Sequence, residues 1–197
     1  MRKILAISVS ILLLSFHSVK SKEIYVGIDY LNNKIDSGVT NISSNLDEKD
    51  TGYSLYAGLP IDKNLDLEIS YNDFGEATLS GVSGNQFISD GTTYQFVTTA
   101  SLSVSGSSIG VAAKPKFEVS ENISLYSRLG VHNWDTKFNI TSTNTTANVD
   151  DDGSDVFYGF GVEVNFENLK GRVGYSVYNM DDDVDSLNVG LTYNFSY

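Results

Sequence analysis

The last twelve residues, Ser186 to Tyr197, constrain the fold more than any other stretch. Leu187, Val189, Leu191, Tyr193, Phe195 and Tyr197 make one file; Asn188, Gly190, Thr192, Asn194 and Ser196 make the other. Unbroken alternation of this kind is a strand with one apolar and one polar face. Read as the chain's closing strand, it has no later segment to cover six large apolar side chains. Lipid is the simplest solvent for that face, so a membrane-facing strand is expected.

Composition narrows how a membrane would be crossed. Apolar residues make up 41 % of the 197, too few for a helical membrane protein. Gly (17) and Tyr (12) are abundant and Pro (2) is scarce, which suits long strands, tight turns and aromatic girdles. The N-terminus reads as an address. Met1-Arg2-Lys3 is basic, Ile4 to Phe16 is apolar apart from three serines, and Val19-Lys20-Ser21 offers small residues to a signal peptidase. The apolar run is shorter than the ~20 residues of a spanning helix. Cleavage after Ser21 is expected, dividing the chain into a signal peptide, 1–21, and a barrel domain, 22–197. The mature part keeps ten basic against 25 acidic residues, net −15. That balance disfavours a nucleic-acid partner and offers no basic patch to anionic lipid. With no Cys, disulfides, thiolate metal sites and thiol nucleophiles are excluded.

Eight alternating segments emerge along the chain. They are Glu23–Leu31, Thr51–Leu59, Leu65–Phe74, Val97–Phe117, Asn122–Phe138, Asp155–Phe166, Leu169–Asn179 and Ser186–Tyr197. The fourth changes phase at Gly106-Ser107-Ser108, where a bulge is expected. Asn32–Asp50, Gly75–Phe96 and Asn139–Gly153 read as long polar loops. Pro60–Asn64, Val119–Glu121 and Glu167-Asn168 read as tight turns, and Asp181–Asp185 as a short acidic loop. Long and short connections alternate, so all long loops fall at one end. The expectation is an all-β fold, an eight-stranded antiparallel up-and-down transmembrane β-barrel. Only closure satisfies strand hydrogen bonds in lipid. A secreted β-sandwich would need cover for outward Tyr and Phe on every strand, and no helix or second layer is left to provide it.

An eight-stranded interior is narrow and filled by side chains. By parity its charges are Asp29, Asp66, Glu68, Glu118 and Glu163 against Lys114, Lys116, Arg128 and Arg172. Near-balance within an acidic chain points to mutual pairing.

Several stretches together resemble the membrane domain of the OmpA family. They are Ala113-Lys114, Arg128-Leu129-Gly130 to Trp134, Tyr158-Gly159-Phe160-Gly161-Val162-Glu163, Arg172-Val173-Gly174-Tyr175 and Gly190-Leu191-Thr192-Tyr193-Asn194-Phe195. The likeness covers most of the mature chain; its motifs are specific in combination and weak singly. It implies a barrel that supports the outer membrane and presents loops outside. In that family interior charges form a gate on a small ion path. Glu68, Lys114, Glu163 and Arg172 fall on the gate positions, and Arg128 on another interior basic position. Tyr193, Phe195 and Tyr197 resemble the C-terminal signal read by the barrel-assembly machinery. Asp29 departs from the family, standing where its best-known members carry a base. The family's peptidoglycan-binding domain is absent from the 197 residues, so cell-wall tethering is not carried over.

Other chemistry is thin. His132 is the sole candidate base of the mature chain, and no Ser lies two residues away on its strand face. Asn148, Asp150, Asp152 and Gly153 resemble the start of a calcium loop, but Gly159 stands where the bidentate Glu belongs. No catalytic residue, metal site or cofactor is expected. The expected function is a structural outer-membrane barrel presenting polar loops. A narrow gated ion pore, a surface adhesin or receptor, and an enzyme using His132 are the alternatives. The expected partners are outer-membrane lipid, lipopolysaccharide and the assembly machinery, and a monomer is expected; the acidic stretches Asp150–Asp152 and Asp181–Asp185 read as solvated loop tips, with divalent-cation bridging to lipopolysaccharide phosphates as the alternative.

Overall fold

In the computed structural model residues 23–143 and 145–196 are described; the expected signal peptide and Tyr197 lie outside them. Twelve strands form: β1 (Glu23–Ile35), β2 (Val39–Asn41), β3 (Asn45–Asp47), β4 (Lys49–Asp62), β5 (Leu65–Gly81), β6 (Gln86–Ser89), β7 (Thr92–Gln95), β8 (Ala100–Ser120), β9 (Ile123–Ser142), β10 (Thr145–Phe166), β11 (Leu169–Tyr178) and β12 (Val184–Ser196). Eight of them close a ring, β1-β4-β5-β8-β9-β10-β11-β12, every neighbouring pair antiparallel. The seam is β12 on β1, in register from Glu23 opposite Ser196 to Ile35 opposite Val184.

The two ends differ as expected, with corrections. At one end two-residue turns join β4–β5, β8–β9 and β10–β11. The first is Lys63-Asn64 alone; Pro60 belongs to β4, opposite Asp66, where a register shift accommodates it. At the other end the long polar connections are not irregular. β2, β6 and β7 make a small sheet that ties the first connection to the second, and β3 adds to β5. Residues 139–142 and 145–153 are strand and not loop: β9 and β10 stay paired up to Ser142 opposite Thr145. Hydrogen bonding along the backbone, which polar composition does not reveal, holds these segments in strands.

The expected bulge near Gly106 is also corrected. Side-chain parity in β8 is unbroken across Gly106, with even-numbered residues inward from Ala100 to Lys116. What changes is the chemistry of the two faces. Toward the turn end Ile109, Ala113 and Phe117 point outward and are exposed, while Ser108 and Lys114 are buried inside. Toward the loop end Ser101, Ser103, Ser105 and Ser107 take the outward positions, and Leu102 and Val104 the inward ones. The register shift lies on the neighbouring strand, where Asp73 faces Ser107 but Glu76 faces Ser105. Gly75 sits in that shift with φ +77°, a conformation that excludes most side chains.

The wall therefore has two storeys. In the lower one the outward belt is apolar and unburied: Leu129 and Phe160 are each 65 % exposed and Phe117 is 69 %. Tyr30, Tyr53, Tyr71, Tyr158 and Tyr175 ring its upper edge; Phe117, Phe166, Tyr193 and Phe195 mark its lower edge. In the upper storey the apolar residues turn inward. Leu31, Ile35, Phe74, Phe157, Tyr178 and Val184 pack there as a single core. Glycines make room for inward rings. Tyr25 stands opposite Gly58, Tyr56 opposite Gly27, Tyr126 opposite Gly161 and Phe157 opposite Gly130. A Cβ on any of these four glycines would lie within 2.6 Å of the facing ring.

Adjacent residues should accordingly respond in opposite ways. We expect Val104→Asp to destabilise the fold by about 2–4 kcal/mol and Ser105→Asp to stay within about 0.5 kcal/mol. Denaturant unfolding followed by the fluorescence of Trp134, the single Trp, measures both.

Candidate functional site

Below the apolar core the lumen holds a buried ion cluster. Its charges come from six of the eight ring strands, β1, β5, β8, β9, β10 and β11, each inward file contributing one or two. Glu163 on β10, Arg172 on β11, Gly190 on β12 and Asp29 on β1 form one row across four strands. Arg172 reaches over Gly190 to Asp29: Nε donates to Oδ1 at 2.8 Å and Nη2 to Oδ2 at 2.5 Å. The glycine is what permits this, since a Cβ at 190 would meet Asp29 Oδ1 at 1.9 Å. Asp29, the departure from the family pattern, is thus the bidentate partner of Arg172, the strong geometry for a guanidinium.

Glu68 sits at the junction. Its Oε2 accepts from Arg172 Nη1 at 3.0 Å and from the Tyr25 hydroxyl at 3.3 Å. Its Oε1 accepts from Arg128 Nη1 at 3.2 Å, and Lys114 Nζ lies 3.9 Å away. Lys114 donates across the lumen to Glu163, although Asp66 is its register neighbour on β5. Asp66 instead accepts from Lys116 Nζ at 2.6 Å. Rings line the cluster as well. Arg172 lies over the Tyr56 ring, its Cζ 3.4 Å from the centroid, and Lys114 Nζ sits 5.1 Å from the Tyr25 centroid and 5.0 Å from that of Tyr126. Cation–π contacts of this kind stabilise charges taken out of water.

All five residues read as an interior ion network, Glu68, Lys114, Arg128, Glu163 and Arg172, are buried and come together. Of the other interior charges read by parity, Glu118 is a correction. It lies exposed near the end of β8, beyond the enclosed lumen. Lys170 was missed, although it shares the inward file of Arg172. It is partly buried, with Nζ 5.7 Å from the Tyr25 centroid. Above the cluster a polar layer leads to the core: Arg128 Nη2 donates to Ser176 Oγ at 2.6 Å, Asn72 Nδ2 to Ser108 Oγ at 3.0 Å, and the Tyr178 hydroxyl to Asn72 Oδ1 at 3.4 Å. The Tyr178 ring stacks on Phe157 at 5.2 Å and packs on Phe74 at 4.8 Å. Ions, polar layer and aromatic core fill the lumen in succession.

The remaining candidates fall elsewhere. His132 is buried beside Phe157 and Tyr178, each 5.6 Å away, and its Nε2 hydrogen-bonds the Asn179 carbonyl at 2.9 Å. Asn148, Asp150 and Asp152 lie along the exposed upper part of β10, in a strand and not in a loop. Tyr193 and Phe195 are exposed on the outer face, their rings edge to face at 4.7 Å. Tyr197, the third residue of the expected assembly signal, is outside the described residues.

Breaking the cluster at its junction should cost most. Glu68→Ala leaves Arg172, Arg128 and Lys114 facing one another, and we expect a loss of about 3–5 kcal/mol. Gly190→Ala should lose about 1–3 kcal/mol by displacing the Asp29 carboxylate. Both are read by denaturant unfolding, and Asp29→Ala should remove only part of the Gly190→Ala loss in a double-mutant cycle, because a Cβ at 190 would still lie 2.4 Å from the Ile28 carbonyl oxygen.

Known structures share this architecture. Ail, the attachment invasion locus protein of Yersinia pestis, superposes with a TM-score of 0.54 at 20 % identity, covering 88 % of this chain and 98 % of that one. OprG of Pseudomonas aeruginosa gives a TM-score of 0.60 at 10 % identity over 89 % and 96 % of the two chains. The N-terminal β-barrel domain of OprF from Pseudomonas aeruginosa gives 0.50 at 15 % identity over 87 % and 97 %. At these identities the likeness is one of fold. No curated protein sequence matches the chain. The model of the outer membrane protein beta-barrel domain matches residues 4–195. An apolar outward belt, a closed antiparallel ring, an OmpA-type fold and this family match agree: the chain belongs to the outer-membrane β-barrel protein family.

Proposed function

We propose that the chain is an eight-stranded up-and-down transmembrane β-barrel whose role in the outer membrane is structural, holding a rigid wall of strands above the bilayer. The observation that carries this reading is the filled lumen. A buried ion cluster lies inside the apolar belt, and a packed aromatic core closes the lumen above it. Such a lumen braces the wall from within and leaves no room for a wide aqueous path. The strands β8, β9 and β10 run to 21, 20 and 22 residues, about twice the 9–11 that cross a bilayer. The surplus stands outside as a platform. That surplus favours a second reading, surface binding by the upper storey, over a gated pore. His132, hydrogen-bonded and enclosed by rings, is read as structural and not as a catalytic base.

The proposed partners are outer-membrane lipid and lipopolysaccharide around the belt, and the assembly machinery during insertion. Tyr193 and Phe195, at the turn end of the seam strand, would carry the assembly signal together with Tyr197. The chain is read as a monomer, exported by a cleaved leader.

Planar-bilayer recording tests the filled lumen. The native protein should show no steady conductance, and Glu68→Ala should admit small, flickering currents. A large steady conductance in the native protein would remove the structural reading in favour of a pore. Assembly is tested by removing Phe195–Tyr197. Unheated gel samples of the membrane fraction should lose the fast-migrating folded form, whereas deleting residues 82–99 should leave it; normal insertion of the truncation refutes the signal.

A further inference from the structure

A cavity of about 640 Å³ opens at the loop end of the ring, separate from the ion cluster. Its floor is the inward face of the tall wall: Ala77, Leu79, Val104 and Phe138. Its mouth is formed by Asp36 from the β1–β2 connection, Asp181, Asp182 and Asp183 from the β11–β12 connection, and Asp90 from the β6–β7 turn. Among the described residues that line it there are five carboxylates and no Lys, Arg or His. None of the five forms an ion pair among the described residues. Two of them instead accept backbone N–H groups, Asp36 Oδ1 from Gly38 at 3.3 Å and Asp183 Oδ1 from Met180 at 3.1 Å. These bonds hold the carboxylates in place without neutralising them.

We propose that this cavity binds a small amphiphilic cation, an ammonium group carried on an aromatic or aliphatic body. Two features of the cavity require the two halves of such a ligand. An apolar floor is satisfied by an apolar body, and a space of this size suits a small organic molecule. A mouth of one sign attracts a cation and repels an anion. A bare inorganic cation would leave the floor uncovered; a neutral apolar molecule would leave the carboxylates crowded. That crowding is real: burial pushes the Asp182 carboxyl above its ordinary range, and the charges of Asp181, Asp36, Asp183 and Glu48 push it the same way. A cation at the mouth relieves it. This inference goes beyond the structural role. It is tested on purified folded protein, so it stands or falls separately from which end of the barrel faces outward.

The test uses the folded mature chain in nanodiscs with a charge series on one aromatic body: 1-naphthylmethylammonium, neutral 1-naphthylmethanol and anionic 1-naphthoate. Binding is read by calorimetry against empty nanodiscs. We expect saturable one-to-one binding of the ammonium, about tenfold or more tighter than the alcohol, and no binding of the naphthoate. Methylammonium, which lacks the body, should bind far more weakly than the naphthyl cation. The double variant Asp36→Asn/Asp182→Asn should lose about tenfold in ammonium affinity and keep that for the alcohol. Heat-dependent gel mobility confirms that the variant is folded, and Asp182→Asn alone serves if the double variant is not. Equal affinity for ammonium and alcohol would overturn the proposal. So would methylammonium binding as tight as the naphthyl cation, unchanged ammonium affinity in the variants, or no saturable binding at all.

Discussion

A wall of β-strands that passes from lipid into water must reverse the polarity of its two faces while the backbone keeps one parity. The rest of this structure depends on that constraint. Strand geometry sends alternate residues to opposite sides, and only a bulge resets the count, as in β5, where the inward file passes from Phe74 to Ala77. The medium outside the ring decides which side is apolar. In the lower storey the outward file meets hydrocarbon and carries Ile, Leu, Val and Tyr, and the inward file carries Ser, Gly and charge. In the upper storey water lies outside, and the same inward file becomes an ordinary apolar core of Leu31, Phe74, Phe157 and Val184. β8 shows the exchange within one strand, from Ile109 outward and Ser108 inward to Ser105 outward and Val104 inward.

The ion cluster follows from the same constraint. Once the lower outward file is apolar, the inward file has to hold whatever polar groups the strands carry, in a space without bulk water. Buried charges there persist only when paired and hydrogen-bonded. Glu68 meets this by accepting from three different strands, and Arg172 by a bidentate hold on Asp29 across the seam. The β1–β12 seam is thus closed by side chains as well as by its backbone ladder. Glycines opposite Tyr25, Tyr56 and Tyr126 give the rings room to lie against these charges. Beside the upper core, where the acidic connections meet the wall, lies the cavity with its one-sided charge.

Much of this was legible. The eight ring strands, their order and the inward side of the five network residues follow from period-two reading, while the choice of those five among the interior charges came from the family resemblance. Parity is local, and a lone strand already displays it. Three things were misread for a common reason. The apparent phase shift at Gly106, the supposed loop Asn139–Gly153 and the unrecognised β2-β6-β7 sheet all lie above the belt. There polar outward residues imitate a loop, and only backbone pairing distinguishes the two. Glu118 was misplaced because parity specifies a side of the strand but not a height along the barrel.

By itself the sequence determined which side chains share a face, because alternation is a property of one strand and needs no partner. It also determined that one face in the lower storey had to meet an apolar medium. Tertiary structure alone decided who pairs with whom across the lumen. Asp66 is the register neighbour of Lys114, yet Lys114 donates to Glu163 on β10, and Arg172 passes its neighbour Glu163 to bind Asp29 and Glu68. Long side chains in a narrow lumen choose partners by distance through space. That distance is set by ring closure, strand tilt and stagger, which no single strand encodes.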